Sequence, residues 1–259
     1  MSTLYLVSAG PGNPELVTPA SINALDASTD VVAYGLYLEL LGPAVANKHR
    51  HELPLGEEIE RARLALDLAA SGKTVSLVSS GDIGIYAMAA VVLELLDREK
   101  HPDTYNPDWD SVDVVSLPGI SALQAGSSAA GAILGHDFCT ISLSDLLTPW
   151  EVIEQRIHAA GQGDFVVAFY NPVSMRRDWQ LNSARDILVE YRPESTPVCL
   201  GKNLTRDNQS LEFISLGELD AANVDMFTCV MVGNGESRII ETPGGRKMYT
   251  PRGYQRKMN

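Results

Sequence analysis

The chain has 259 residues, with 33 acidic against 20 basic side chains, a formal net charge of −13 and 45% hydrophobic residues. That composition is globular rather than disordered, and the length suffices for one large domain or two moderate ones. The acidic balance opposes nonspecific binding to nucleic acid or an anionic membrane. Tyr5-Leu6-Val7 reads as a buried strand running into Ser8-Ala9-Gly10-Pro11-Gly12. Thr18 is placed to cap a helix with Pro19 at its first position, where the missing N–H costs nothing. Val31 to Tyr34 reads as a second strand. Ile59, Ala62, Leu66 and Ala69 recur at helical spacing between Glu57 and Ser71, with Gly72 as a stop. Val75 to Val78 is the next strand, followed by a helix from Tyr86 to Arg98 and a strand from Val112 to Leu117.

Strands alternating with helices predict parallel pairing and an α/β sheet. After Leu117 the pattern restarts: a helix over Ile120 to Ala130, an extended stretch over Thr140 to Leu143, a helix over Trp150 to Ala160 and an apolar strand from Phe165 to Tyr170. A helix from Arg177 to Tyr191 and strands at Pro197 to Leu200, Ser210 to Ser215 and Phe227 to Val232 complete it. Two α/β domains, 1–117 and 118–259, are expected, divided near Pro118-Gly119. The carboxyl-terminal stretch carries Arg246, Lys247, Arg252, Arg256 and Lys257 with no acid after Glu241. It reads either as a solvated basic tail or as an anion-binding segment.

Several signals fail on inspection. MSTLYLVSAGPG has no basic region before its apolar stretch, so it is not a secretory signal. The longest apolar run, Ile85 to Leu93, falls far short of the roughly 20 residues that span a bilayer. Cys139, Cys199 and Cys229 fit neither a disulfide framework nor a CxxC metal site, and the five histidines never take metal-helix spacing. A cytoplasmic protein with reduced thiols and no metal is expected. Ser71-Gly72-Lys73-Thr74 lacks the earlier glycine of a phosphate loop, Gly10-Pro11-Gly12 lacks the third glycine of a dinucleotide fingerprint, and Gly119-Ile120-Ser121 lacks the second glycine of a nucleophile elbow.

Three glycine loops at strand ends remain: Gly10-Pro11-Gly12, Gly81-Asp82-Ile83-Gly84-Ile85-Tyr86 and Pro118-Gly119-Ile120-Ser121-Ala122. Such loops admit a ligand close to the backbone and present free N–H groups. With Ser8 to Thr18 and Ser80 to Ala89, they make the chain resemble the tetrapyrrole methylase family over essentially its whole length. It departs from the family pattern at Ser8, where glycine is usual, and at Ile83, where the Gly-Asp-Pro segment has proline. The resemblance implies a two-lobed fold with S-adenosylmethionine between the lobes and S-adenosylhomocysteine as product. Gly135 to Phe138, Ile141 to Trp150, Tyr170-Asn171-Pro172 and Thr250 to Tyr254 resemble the members that methylate C17 of precorrin-3B and contract the macrocycle. Thr148 also reads locally as the cap of a helix beginning at Pro149. A sister activity at another position, such as C11 of precorrin-4, is the alternative, and a non-catalytic nucleotide-binding module is the alternative of another class.

The resemblance implies that Pro11, Gly81, Asp82, Ile85, Ser121, Ala122, Tyr170, Leu204, Thr250 and Pro251 lie near the donor. Asp82 is suited to ribose hydroxyls or the sulfonium, or else to capping a helix; Tyr170 is suited to the donor or to the core. The acceptor bears many carboxylates, for which Arg176, Arg177, Lys202, Arg206 and Arg252 are the candidate partners, with plain surface cations as the competing reading. Ring contraction needs proton transfer, for which His136, Asp137 and Asp145 are candidates. A homodimer is implied by the resemblance alone.

Overall fold

The computed structural model describes residues 2–175, 177–254 and 257. The chain divides into two compact units, one ending at Ser121 and the other beginning at Ala122.

The first unit runs β1 (Ser2–Ser8), α1 (Pro19–Ala27), β2 (Asp30–Ala33), α2 (Gly35–Leu41), β3 (His49–Glu52), α3 (Glu58–Ala70), β4 (Val75–Ser79), α4 (Met88–Leu96) and β5 (Val112–Ser116). Its five strands form a parallel sheet in the order β3-β2-β4-β1-β5. Both faces are covered, which is why the central strands read as continuous apolar runs. Leu4, Leu6 and Leu77 pack with Ala62, Leu66 and Val92 on one face. Val7, Val31 and Val78 pack with Leu25 and Leu38 on the other. Thr18 caps α1 as expected, its hydroxyl accepting from Ser21 N–H at 3.2 Å. Ile59, expected on the buried stripe of α3, is 55% exposed, and Ala65 takes its place in the core. Helix α4 begins at Met88 rather than Tyr86, whose φ of +51° is left-handed.

The second unit runs α5 (Ala122–Ala130), β6 (Gly131–Ala132), β7 (Phe138–Ser142), α6 (Trp150–Gln162), β8 (Val166–Tyr170), α7 (Gln180–Leu188), β9 (Pro197–Lys202), β10 (Ser210–Ser215), β11 (Thr228–Val232), β12 (Arg238–Thr242) and β13 (Gly245–Tyr249). Its main sheet has the order β10-β9-β11-β8-β7, and only β7 and β8 pair in parallel. The strands from β9 onward are joined without a crossover helix, so antiparallel pairing is open to them. The apolar core lies against α6 and α7, around Ile153, Ile157, Phe169, Leu181 and Val230. Thr148 caps nothing: Pro149 holds the cap position of α6 and makes no side-chain bond there. Helix α7 starts three residues later than expected, because Ser174 and Arg177 close a tight turn through two backbone hydrogen bonds. Part of the expected basic tail is the strand β13, where Arg246 faces Glu241 on β12 at 3.7 Å.

Candidate functional site

In the first unit the glycine loops follow β1, β4 and β5, which are neighbours in the sheet. Their turns are therefore adjacent at the carboxyl edge, where parallel α/β sheets bind ligands. Gly10 (φ +69°) and Gly81 (φ +67°) pair with each other, Gly10 N–H donating to Gly81 O at 3.2 Å and Gly81 N–H to Gly10 O at 2.7 Å. A Cβ on Gly81 would meet the Cα of Ser121 at 3.6 Å. Asp82 holds the loops together: Oδ1 accepts from Gly84 N–H at 2.7 Å and Oδ2 from Gly119 N–H at 2.9 Å. It caps no helix. Pro11 and Ser121 are buried and Ile85 partly so. Pro11, Gly81, Asp82, Ile85 and Ser121 thus share this edge of the sheet.

In the second unit β7, β8 and β9 point the same way, so their carboxyl ends share one edge. There the Tyr170 hydroxyl accepts from Leu123 N–H at 3.1 Å, beside Ala122 at the start of α5. Leu204 is buried, and a Cβ on Gly126 of α5 would stand 3.2 Å from its Cδ1. Asn171, Asn203 and Thr205 are all left-handed at this edge (φ +51°, +48° and +65°); such residues carry strain and gather at functional sites. Arg177 is buried, its Nε donating to Asn171 O at 3.1 Å and its Nη1 to Ser144 Oγ at 3.3 Å. Burial pulls its pKa below the usual arginine value, and the charge of Asp145 opposes that. Asp145 Oδ2 in turn accepts from Gln180 Nε2 at 2.8 Å. Lys202 pairs with Asp225 at 2.6 Å, and the Arg206 guanidinium lies over the Phe227 ring at 5.8 Å. Arg176 lies outside the described residues.

Five of the expected site residues lie elsewhere. His136 and Asp137 precede β7, and Asp137 O accepts from Val166 N–H at the start of β8. Thr250 is buried, its hydroxyl donating to Ile133 O at 2.7 Å and bonded to Ser237 Oγ at 2.7 Å, with Pro251 and Arg252 following it. These residues lie at the starting edge of β7 and β8, roughly 16 Å from Tyr170 and Asp145 at about 3.3 Å for each of five strand residues. Thr250 and Pro251 therefore do not join Tyr170 and Leu204, and His136 and Asp137 do not join Asp145. Sequence order could not reveal this, because β11 reverses the chain between the two edges. His136, Glu236, Arg252 and Gly253 line a cavity of about 290 Å³. His136 Nδ1 lies 2.8 Å from the Asp137 backbone nitrogen and 3.3 Å from Asp137 Oδ2.

Ser8 joins the three loops through bonds that its place in the sequence does not reveal. Its Oγ donates to Leu117 O at 2.7 Å and accepts from Ile83 N–H at 2.9 Å, linking all three loop-bearing strands. Among the described residues no three His, Cys, Asp or Glu side chains are grouped to hold a metal, and no helix is long and apolar enough to cross a membrane.

A family model described as tetrapyrrole (corrin/porphyrin) methylases matches residues 3–220. The chain is 43% identical over 258 residues to a precorrin-3B C(17)-methyltransferase of Sinorhizobium sp, covering 97% of each chain. It is 42% identical over 251 residues to a probable cobalt-factor III C(17)-methyltransferase of Salmonella typhimurium, covering 97% of this chain and 99% of that one. Among solved structures, the methyltransferase CobJ superposes with a TM-score of 0.88 at 37% identity, covering 97% of this chain and 100% of that chain.

Proposed function

This chain belongs to the tetrapyrrole (corrin/porphyrin) methylases, and from that membership we propose that it transfers a methyl group from S-adenosylmethionine to C17 of a precorrin in cobalamin biosynthesis, with contraction of the ring. The observation that carries the reading is the relationship to a C(17)-methyltransferase at 43% identity over 97% of both chains.

The loops of the first unit fit a donor. Gly10, Gly81 and Gly119 bring three strand ends together, and at two of them a side chain would intrude: a Cβ on Gly10 would stand 2.9 Å from Leu16 O, and one on Gly119 would stand 2.6 Å from Gly81 O. Pro11, Gly81, Ile85 and Ser121 are the residues assigned to hold it, with Asp82 fixing the loop that carries them. A sulfonium brings its own leaving group, so the chain's task is orientation, which supplies about 7–11 kcal/mol when reacting atoms are well aligned. In the second unit, Ala122, Tyr170 and Leu204 are assigned to the donor. Arg177, Lys202 and Arg206, with Arg176, are assigned to acceptor carboxylates, and Asp145 at the same edge to proton transfer. Arg252 and His136, around their own cavity, are assigned to a carboxylate arm. A homodimeric, cytoplasmic enzyme that needs no metal completes the proposal; sedimentation, cell fractionation and metal analysis check those three points.

The test is ligand-dependent unfolding. S-adenosylhomocysteine at 100 times its Kd should add about 2.7 kcal/mol of stability, whereas NAD and ATP should add none. Stabilisation by NAD or ATP instead would favour a nucleotide-binding module.

A further inference from the structure

We propose that Ser8 is a positioning residue for methyl transfer, setting the donor loops through the Ile83 N–H and the Leu117 carbonyl; the proposal rests on the donor reading above. Ser8 ends β1 and is fully buried, as is Ile83. A hydroxyl has one proton, and here it is committed to Leu117 O at 2.7 Å, so a lone pair of the same oxygen meets the Ile83 N–H at 2.9 Å. One oxygen atom therefore ties the end of β1 to the loop after β4 and to the end of β5.

The Ser8–Ile83 bond depends on both residue types. Proline at 83 would offer no N–H, and glycine at 8 would offer no acceptor. Here residue 83 has a buried N–H and residue 8 has the oxygen that satisfies it, so the two residues are coupled through one bond. A buried amide without a partner carries the full cost of desolvation. Sterics point the same way. A proline ring at 83 would project its Cδ where the N–H now reaches toward Ser8 Oγ, and a methyl on Gly119 would overlap the Ser8 side chain. Asp82, one residue before Ile83, is held by the same arrangement, and its carboxylate reaches Gly119. The donor loops thus depend on Ser8 without Ser8 being required to touch the donor.

The test is a double-mutant cycle of Ser8→Gly, Ile83→Pro and the two combined, with Ser8→Ala as a variant that keeps the Cβ. Unfolding temperature, the Kd of S-adenosylhomocysteine, and KM for S-adenosylmethionine against kcat are measured for each. Ser8→Gly and Ser8→Ala should weaken S-adenosylhomocysteine and raise the donor KM about tenfold, the size of one unsatisfied buried amide, with kcat at saturating donor unchanged. Ile83→Pro alone should be worse. Ser8→Gly combined with Ile83→Pro should bind better and melt higher than Ile83→Pro, which a purely additive role for each residue does not allow. Additive losses, or unaltered donor affinity in both Ser8 variants, would overturn the proposal. If the unmodified chain does not bind S-adenosylhomocysteine, the donor reading falls and the positioning role with it, while the unfolding temperatures still show whether Ser8 and Ile83 are coupled.

Discussion

Asp82 Oδ2 accepts a hydrogen bond from the backbone N–H of Gly119 at 2.9 Å, across 37 residues of chain. The other oxygen accepts from Gly84 N–H at 2.7 Å. A side chain that sequence reasoning assigned to the ligand thus also builds the cradle. Asp82→Ala should free both amides, lower stability by about 1–3 kcal/mol and weaken S-adenosylhomocysteine at least tenfold. Asp82→Asn, which keeps one acceptor oxygen, should lose less of both. Calorimetric titration and denaturant unfolding read the two effects. Equal losses in the two variants would mean that the charge, rather than the acceptor geometry, is what matters.

A carboxylate at the other end of the first sheet sets an acid limit. Asp30 is buried and accepts from His51 Nε2 at 2.7 Å, Lys73 Nζ at 2.9 Å and Thr29 Oγ1 at 2.8 Å. Burial would raise its pKa, but the hydrogen bonds outweigh it and hold the group at about 2 against an ordinary 3.8. A pKa lowered on folding contributes stability that is complete above 3.8 and lost as pH falls toward 2, here about 2 kcal/mol. Asp30→Asn should be less stable at neutral pH and converge on the unmodified protein near pH 2. Urea midpoints across that range check it; a constant gap would refute it.

Arg192 pins the second unit. It is buried and donates from Nη1 to Phe165 O at 3.1 Å and Gly233 O at 2.6 Å, and from Nη2 to Ala160 O at 3.4 Å. Burial lowers its pKa, opposed by the charge of Asp164, but a guanidinium keeps its proton. Arg192→Lys cannot reproduce the fork and should cost about 2–4 kcal/mol, with Arg192→Ala costing as much or more. Denaturant midpoints measure both, and a neutral lysine variant would contradict the assignment.

The thiols report on packing. Burial pushes Cys199 and Cys229 up to about 12, Cys199 also through its neighbour Cys229. Burial raises Cys139 as well, with Arg192 opposing, but that side chain is only partly buried. In the native protein a thiol reagent at neutral pH should label Cys139 first and reach the other two only on unfolding. Equal rates for all three would show that the core of the second sheet opens.

Legibility followed the range of the chemistry. The Thr18–Pro19 start of α1 and the strand Ser210–Ser215 were readable because caps and β-rich runs are local signals. The β12–β13 hairpin was not, because its exposed, charged strands lack apolar alternation, and Arg246 and Lys247 read as a tail. The glycine loops were readable as loops. The Ser8 bonds were not, since their partners lie 75 and 109 residues away. That Thr250 and Leu204 stand at opposite edges of the second sheet was not legible either, because position along a chain says nothing about which end of a strand a residue reaches.

The central claim is methyl transfer to C17. The chain is incubated with S-adenosylmethionine labelled in its methyl group and with precorrin-3B or cobalt-factor III as acceptor, and the product is read by mass and by carbon NMR. The expected product carries one labelled methyl at C17 of a contracted ring, with one equivalent of S-adenosylhomocysteine released. No gain in mass with either acceptor, or a label at another carbon such as C11, would contradict it.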